Sequence, residues 1–469
     1  MDFLPSFLLL LSILFLSASF SCGEMEPKVG ICYGELGNNL PEPPKSIELI
    51  QKLKAKRIKI YGFNPKIIES IQSKDLQISI MLPNQLIPEI STNQTLADEW
   101  VKTNVAPFYP ESRIRYLLIG NEILSSQPNT TWFQLVPAMR KMRISVKKYG
   151  LKKVKIGTPL AMDCLESSYP PSAGTFRSDV REEVIKPLLE FVNRTKSFFF
   201  VDVYTYFAWA SQPLDINLDY ALLEPTNITI TDPGTGLKYT NLLDQMLDAV
   251  VFAMKRLGYP DIRLFVAETG WPNGGDPDQL GATIYNAATY NRNVVKKFAA
   301  KPPVGTPARR GVAIPAMIFA LFNENNKTGP GTERHFGQLY PNGSYVYPID
   351  LSGKTAHYPP MKKPLSNGKL WCVAANGGNA TALRDAMSYA CGNTKINQTC
   401  DPIRPGGKCR NSSSLITAAS YAFDSYWVQM KTAGASCSFN GLASLTSRDP
   451  SVLGLAYFQV LTFKKSTED

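Results

Sequence analysis

The chain has 469 residues, 44% hydrophobic and 19% charged, with 35 Pro and 32 Gly. That length exceeds one small domain, since a domain takes roughly 100–200 residues, and the apolar share excludes global disorder. The net charge of +11 is uneven, with 13 Lys and Arg against 6 Asp and Glu after Asp350. No stripe of Lys and Arg interleaved with stacking aromatics stands out, so nucleic acid is not an expected partner. Charge alone suggests an anionic, carboxylate-rich matrix instead.

Phe3 to Phe20 form an apolar run that ends in Ser21-Cys22-Gly23. The pattern reads as a secretory signal peptide over residues 1–23, although its start lacks Lys or Arg. No second long apolar run follows, so the chain is not expected to span a membrane. The charged tail Phe463–Asp469 lacks the hydrophobic end that a lipid anchor needs. Nine Asn-x-Ser/Thr sequons fit an exported glycoprotein.

Of eight cysteines, Cys22 leaves with the signal, and Cys372, Cys391, Cys400, Cys409 and Cys437 cluster near the end. In an exported protein this reads as a small disulfide-stapled module, with one thiol left over by the odd number. There is no paired CxxC, and His335 and His357 are the only histidines. Neither a metal site nor a cofactor is expected.

From Val29 onward, short apolar runs alternate with amphipathic stretches. The candidate strands are Val29–Tyr33, Arg57–Tyr61, Gln77–Leu82, Tyr116–Gly120, Val154–Gly157, Phe198–Tyr204, Arg263–Ala267 and Val312–Leu321. Helical patterns fall between them at Pro44–Lys54, Trp132–Lys148, Asp179–Asn193 and Leu242–Leu257, with Asp179 and Glu182 spaced as an N-terminal cap. Eight alternating units predict an α/β fold, a (β/α)8 TIM barrel. A doubly wound open sheet is the alternative, but Gly30-Ile-Cys-Tyr-Gly34 is not a phosphate-binding turn.

In such a barrel, chemistry sits where strands end. The fourth strand runs into Gly120-Asn121-Glu122 and the seventh into Glu268-Thr-Gly-Trp-Pro272. Two carboxylates facing across one mouth are the equipment for glycoside hydrolysis, one protonating the leaving oxygen and the other attacking or activating water. A single such Glu is more often the exposed start of a loop. A pair at two matching strand ends, each beside Gly and a polar or aromatic neighbour, points to catalysis more than either Glu alone.

Further motifs carry a resemblance. Gly30-Ile-Cys-Tyr-Gly34, Gly37-Asn-Asn-Leu-Pro41, Ile60-Tyr-Gly62, Ile119-Gly-Asn-Glu122, Glu268-Thr-Gly-Trp-Pro272, Phe322-Asn-Glu-Asn-Asn-Lys327 and Glu333-Arg-His-Phe-Gly337 together resemble plant endo-1,3-β-glucanases of glycoside hydrolase family 17. The similarity spans residues 27–348. It implies that Glu122 is the acid/base and Glu268 the nucleophile of a retaining, two-step mechanism, with Glu324, Lys327 and Glu333 as auxiliary residues. Asn121 would bond the sugar 2-hydroxyl. Tyr61, Tyr204, Tyr206, Trp271 and Phe322 are candidate substrate-binding aromatics. Two positions depart from the family, which usually has Asn at 202 and Pro at 205 where this chain has Asp202 and Thr205.

Residues 349–369 read as a linker. Beyond it, Trp371-Cys372, Ala390-Cys-Gly392, Cys400-Asp-Pro-Ile403, Gly406-Gly-Lys-Cys409, Cys437-Ser-Phe439 and Asp449-Pro-Ser451 resemble the family-43 carbohydrate-binding module over residues 370–458. That resemblance implies a small, mostly helical unit that binds β-1,3-glucan, with Cys372–Cys437 and Cys391–Cys400 bridged. Cys409 would stay single and available for an intermolecular disulfide in an otherwise monomeric protein. The resulting expectation is a secreted cell-wall endo-1,3-β-glucanase. Its rivals are a non-catalytic wall-binding protein and a transglycosylase using the same carboxylates.

Overall fold

A computed structural model of the chain describes residues 29–361, apart from 126–128, 214 and 277–278. It also describes 370–450, apart from 376–378, 393–399, 405–413, 431–436 and 447–449. The expected signal peptide and Cys409 lie outside these residues.

One parallel sheet organises the first part. Its strands are β1 (Val29–Tyr33), β2 (Arg57–Ile60), β3 (Gln77–Leu82), β4 (Ile114–Ile119), β5 (Lys155–Gly157), β6 (Pro159–Ala161), β7 (Phe199–Asp202), β8 (Leu264–Thr269) and β9 (Ala316–Ile318). The hydrogen-bonded order is β5-β4-β3-β2-β1-β9-β8-β7-β6. The two end segments are one chain interrupted at Thr158, with β5 paired to β4 and β6 paired to β7. The sheet therefore closes on itself with eight strand positions, a (β/α)8 barrel, and the open doubly wound alternative falls.

Alternation along the strands divides the apolar residues into two cores. Ile58, Ile60, Leu117, Ile119, Val201 and Val266 point out to the helices and belong to the larger cluster. Tyr116, Leu118, Phe198, Phe200, Phe265 and Met317 fill the barrel. Their rings meet edge to face, with Tyr116 between 5.3 and 5.9 Å from Phe265, Phe200 and Phe198. This geometry suits aromatic quadrupoles better than face-to-face stacking. The barrel floor is thus sealed, and polar groups collect above it.

The outer helices begin where short polar side chains cap them. Asn93 accepts from the amides of Thr95 and Leu96, Asn241 from Asp244 and Thr283 from Asn286. The expected cap at Asp179 is absent. Arg177 takes both oxygens of that carboxylate at 3.1 and 3.0 Å, and a fork-to-fork ion pair displaces the cap. Barrel packing also runs past the expected boundary at residue 348. Ile349 and Leu351 are buried, and the Leu351 amide donates to Leu53 O at 2.9 Å.

In the C-terminal part, β10 (Trp371–Ala374) pairs antiparallel with β11 (Ala443–Thr446), and helices Ala380–Gly392 and Leu415–Met430 pack nearby. Disulfides join Cys372 to Cys437 and Cys391 to Cys400, the pairing the resemblance implied. Asp424 accepts the Cys372 amide at 2.8 Å and Ser420 accepts that of Ala374 at 2.9 Å.

Candidate active site

The chain leaves β4 through a tight turn. Gly120 has φ +68°, and a Cβ there would lie 2.7 Å from Asn84 Oδ1. Only glycine suits both the dihedral and the space. Asn84 then brackets Asn121, donating to its carbonyl at 2.9 Å and accepting from its amide at 2.8 Å. Glu122 follows with φ 47°, its amide held by Pro159 O at 3.0 Å. A left-handed φ at a non-glycine residue costs on the order of 1 kcal/mol or more and needs such external support.

Glu268 reaches the same space by a different device. On β8, Phe265 and Ala267 face the barrel interior while Leu264 and Val266 face the helices. Strict alternation would turn Glu268 outward. The register against β7 shifts between Val266 and Glu268, and that irregularity turns the carboxylate inward.

There Glu268 is almost fully enclosed. Lys59 Nζ donates to Oε1 at 2.6 Å, Tyr61 OH to Oε1 at 2.5 Å and Tyr204 OH to Oε2 at 2.6 Å. Burial works against its charge, but the Lys59 charge and these hydrogen bonds outweigh it and hold the carboxyl below its usual range. Tyr61 and Tyr204 are pushed far above the ordinary phenol range by burial and by Glu268, so they remain donors. Glu122 goes the opposite way. Burial, with repulsion from Glu268 added, raises it to about 7. The environment favours the ionised form of Glu268 and the protonated form of Glu122. Such a split is what chemistry needs when it pairs an ionised carboxylate with a protonated one.

Lys59 is wholly buried and also donates to Asn121 Oδ1 at 3.1 Å. Its third neighbour is Asp202, whose Oδ1 lies 3.8 Å away. Asp202 stands in register with Glu268, and neither of its buried oxygens has a hydrogen-bond partner. Burial and the Glu268 charge raise its carboxyl well above normal against the pull of Lys59. The other departure, Thr205, begins a short helix and donates its hydroxyl to Ala221 O at 2.9 Å.

Glu122, Asn121, Glu268, Glu324, Lys327, Glu333, Tyr61 and Tyr204 all line one cleft of about 690 Å³. Glu324 Oε1 accepts from the Leu36 amide at 2.8 Å, and Lys327 Nζ sits 3.9 Å from its Oε2 and 4.1 Å from the Phe319 ring centroid. A Cβ on Gly34 would come within 2.4 Å of the Glu324 carboxylate, which explains the glycine closing Gly30-Ile-Cys-Tyr-Gly34. Burial raises Glu324 and Glu333 despite Lys327.

A model of Glycosyl hydrolases family 17 matches residues 29–351. The chain belongs to that family. A second model, the X8 domain, matches residues 370–444. A curated relative, "Probable glucan endo-1,3-beta-glucosidase A6" of Arabidopsis thaliana, is 48% identical over 433 residues, covering 91% of this chain and 90% of the relative. The "Glucan endo-1,3-beta-D-glucosidase" of Olea europaea is 34% identical and covers 94% of this chain and 96% of its own. Among solved structures, a beta-1,3-glucanase and allergen of Cryptomeria japonica pollen is 37% identical with TM-score 0.65, covering 69% of this chain and 99% of that one. As a family 17 member the chain is a glycoside hydrolase.

Not every expected aromatic reaches the family 17 cleft. Trp271 has no exposure, donates its indole N–H to Gly281 O at 2.9 Å and packs on Tyr206, Trp209 and Tyr290. Tyr206 and Phe322 are also buried, the latter edge-on against Tyr33. These three are core residues, and sugar stacking is not carried forward for them. Tyr61 and Tyr204 line the cleft but point their hydroxyls at Glu268. Phe207, 45% exposed, also lines the cleft, and sequence reasoning missed it along with Lys59.

Proposed function

We propose that this protein is a secreted, endo-acting hydrolase of (1→3)-β-D-glucosidic linkages that works by retaining double displacement. The observation that carries the reading is the pairing, within one cleft, of Glu268, held by Lys59 and two tyrosine hydroxyls, with Glu122, whose carboxyl is pushed upward by burial and by Glu268. Glu268 attacks the anomeric carbon as the glycosidic C–O bond breaks, and the Glu122 proton passes to the leaving oxygen. A glycosyl ester on Glu268 results. Water then attacks the anomeric carbon, Glu122 takes its proton, and the Glu268 carboxylate is released.

The other residues act on charge and position. Lys59, Tyr61 and Tyr204 stabilise the nucleophile before attack and again as it departs. Asn121, held through its backbone by Asn84, presents its side-chain amide towards the bound sugar. Glu324, Lys327 and Glu333 bind hydroxyls farther along the cleft, and Phe207 offers a ring face to a sugar. The names of the relatives support β-1,3-glucan as substrate. The X8 match supports a second glucan-binding site in the C-terminal module, and residues 1–23 with the sequons support export to the cell wall. An inert wall-binding protein would not need a fully compensated buried carboxylate.

The test is reducing-end release from linear β-1,3-glucan, beside cellulose and mixed-linkage glucan. Release from the first substrate alone, lost in Glu268→Gln, is expected. Equal release from cellulose, or full activity in that variant, would overturn the reading.

A further inference from the structure

The catalytic cleft is acid-lined, with Glu35, Glu122, Asp163, Glu268, Glu324 and Glu333 among its walls and Lys327 as the cation in its described lining. The opposite end of the barrel carries the other sign. Lys56 precedes β2, Arg113 precedes β4, Lys153 precedes β5, Lys196 precedes β7 and Arg263 precedes β8. Charge is thus segregated between the two ends of one barrel.

Two clefts open at this basic end. One of about 780 Å³ is lined by Lys54, Lys56, Lys301 and Lys354, with Asp75 the acid in its wall. The other, of about 410 Å³, is lined by Arg113, Arg115 and Lys153. Asp75, in the wall of the first, bridges the two, with its carboxylate 2.9 Å from Lys56 and 2.6 Å from Arg113 of the second. Lys54 is also paired, with Asp350 at 2.8 Å. Among the described residues, the side chains of Arg115, Lys153 and Lys354 have no ion-pair or hydrogen-bond partner. Lys153 and Lys354 are exposed. The two clefts lie side by side across the Asp75–Arg113 ion pair as a basic groove whose excess charge stands at Arg115, Lys153 and Lys354.

We propose that this groove binds a carboxylate-bearing polysaccharide, a polyuronate, and docks the protein on it with the catalytic mouth facing away. Cations spread along a groove fit a chain with charges at intervals better than a single small anion. Hydrated lysine ammoniums make diffuse, exchangeable contacts with carboxylates, which suits a flexible polymer. Single-stranded nucleic acid fits less well, because it calls for aromatic platforms. Tyr109 is the aromatic in the groove wall, and its hydroxyl is engaged by the Lys153 amide at 3.4 Å. The proposal goes beyond the hydrolytic reading and does not depend on it.

The experiment uses the full chain and immobilised polygalacturonate as probe, with its fully methyl-esterified form and duplex DNA beside it. Wild type and the catalytic variant Glu268→Gln are expected to bind polygalacturonate at low salt and to release as salt screens the contact. The triple variant Arg115→Gln/Lys153→Gln/Lys354→Gln is expected to bind about tenfold or more weakly. Its hydrolysis of a soluble β-1,3-glucan, unchanged from wild type, reports that it folds. Lys354→Gln alone, at an exposed position, gives an intermediate loss if the triple variant fails to fold. Undiminished binding by these variants would assign the affinity elsewhere, such as the basic C-terminal module, and overturn the proposal. Equal retention on the esterified polymer, or tighter retention on DNA, would overturn it too. Loss of hydrolysis with retention intact in Glu268→Gln bears on the catalytic assignment and not on the groove.

Discussion

Lys59 rises inside β2 until its ammonium stands 2.6 Å from Glu268 Oε1. Both side chains are buried, so the Coulomb attraction is little screened, and the desolvation of each ion is offset by the other. Asp202 faces the same ammonium from 3.8 Å. One buried cation therefore serves two neighbouring carboxyls. It favours Glu268, which also has the two tyrosine hydroxyls, while Asp202 has no hydrogen bond. Burial lowers the affinity of Lys59 for its proton, but Asp202 and Glu268 more than restore it.

Replacing Lys59 by Met should remove the main force that keeps Glu268 ionised. The acid limb of kcat/KM is expected to move to higher pH, because the Glu268 carboxyl is no longer held down. At the original optimum the loss should be on the order of 10²–10³-fold, as for other preorganised charges at reacting groups. Stability should fall by about 3–5 kcal/mol, the usual result of stranding one member of a buried ion pair. A pH–rate profile with unmoved limbs would show that Lys59 is only a packing residue.

Asp202→Asn should stabilise the protein. Its folded carboxyl holds a proton well above the unfolded range, so the native state binds more protons than the unfolded one across that window. Stability contributed by the wild-type group is then lost as pH rises from about 4 towards the folded value. An amide does not titrate and carries no such loss. Melting temperatures of the two proteins should coincide near pH 4 and separate as pH rises, with the variant higher. A gap that narrows with pH would mean that Asp202 is an ionised partner of Lys59.

Glu122 titrates near 7, so the basic limb of kcat/KM should fall there and disappear from the profile of Glu122→Gln. Turnover in that variant should drop by about 10²–10⁴-fold with poor leaving groups and far less with good ones. Azide should restore Glu122→Ala by resolving the glycosyl ester without base help. The stability sign matches that of Asp202. A carboxyl raised from 4.5 to about 7 costs folding free energy as pH climbs through that interval, up to about 3 kcal/mol above it. Glu122→Gln should therefore melt higher than wild type at pH 8 and not at pH 4.

The sequence carries the barrel and both carboxylates plainly, because strand–helix alternation and residues at strand ends are local signals. The orientation of Glu268 is not local. Counting by twos along Leu264-Phe-Val-Ala-Glu268 turns it towards the helices, and only the pairing shift against β7 turns it back. Lys59 was hidden for a related reason. Arg57-Ile-Lys-Ile60 reads as ordinary alternation on a half-exposed strand, yet barrel closure makes its charged face the interior. Two charges on one face of a strand inside a closed barrel were the available signal. Trp271, Tyr206 and Phe322 misled in the opposite direction. An aromatic next to a motif looks like a sugar platform, and only packing reveals that Trp271 is wedged among Tyr206, Trp209 and Tyr290.

Retention at the anomeric centre follows only if Glu268 forms a covalent intermediate and water later enters opposite Glu268, from the face the leaving group left. The most direct measurement is proton NMR of the reducing end during the first minutes of hydrolysis of a soluble β-1,3-gluco-oligosaccharide. The β anomer should appear first, followed by slow mutarotation to the equilibrium mixture. An initial α anomer would mean single displacement by water, and would contradict Glu268 as the nucleophile.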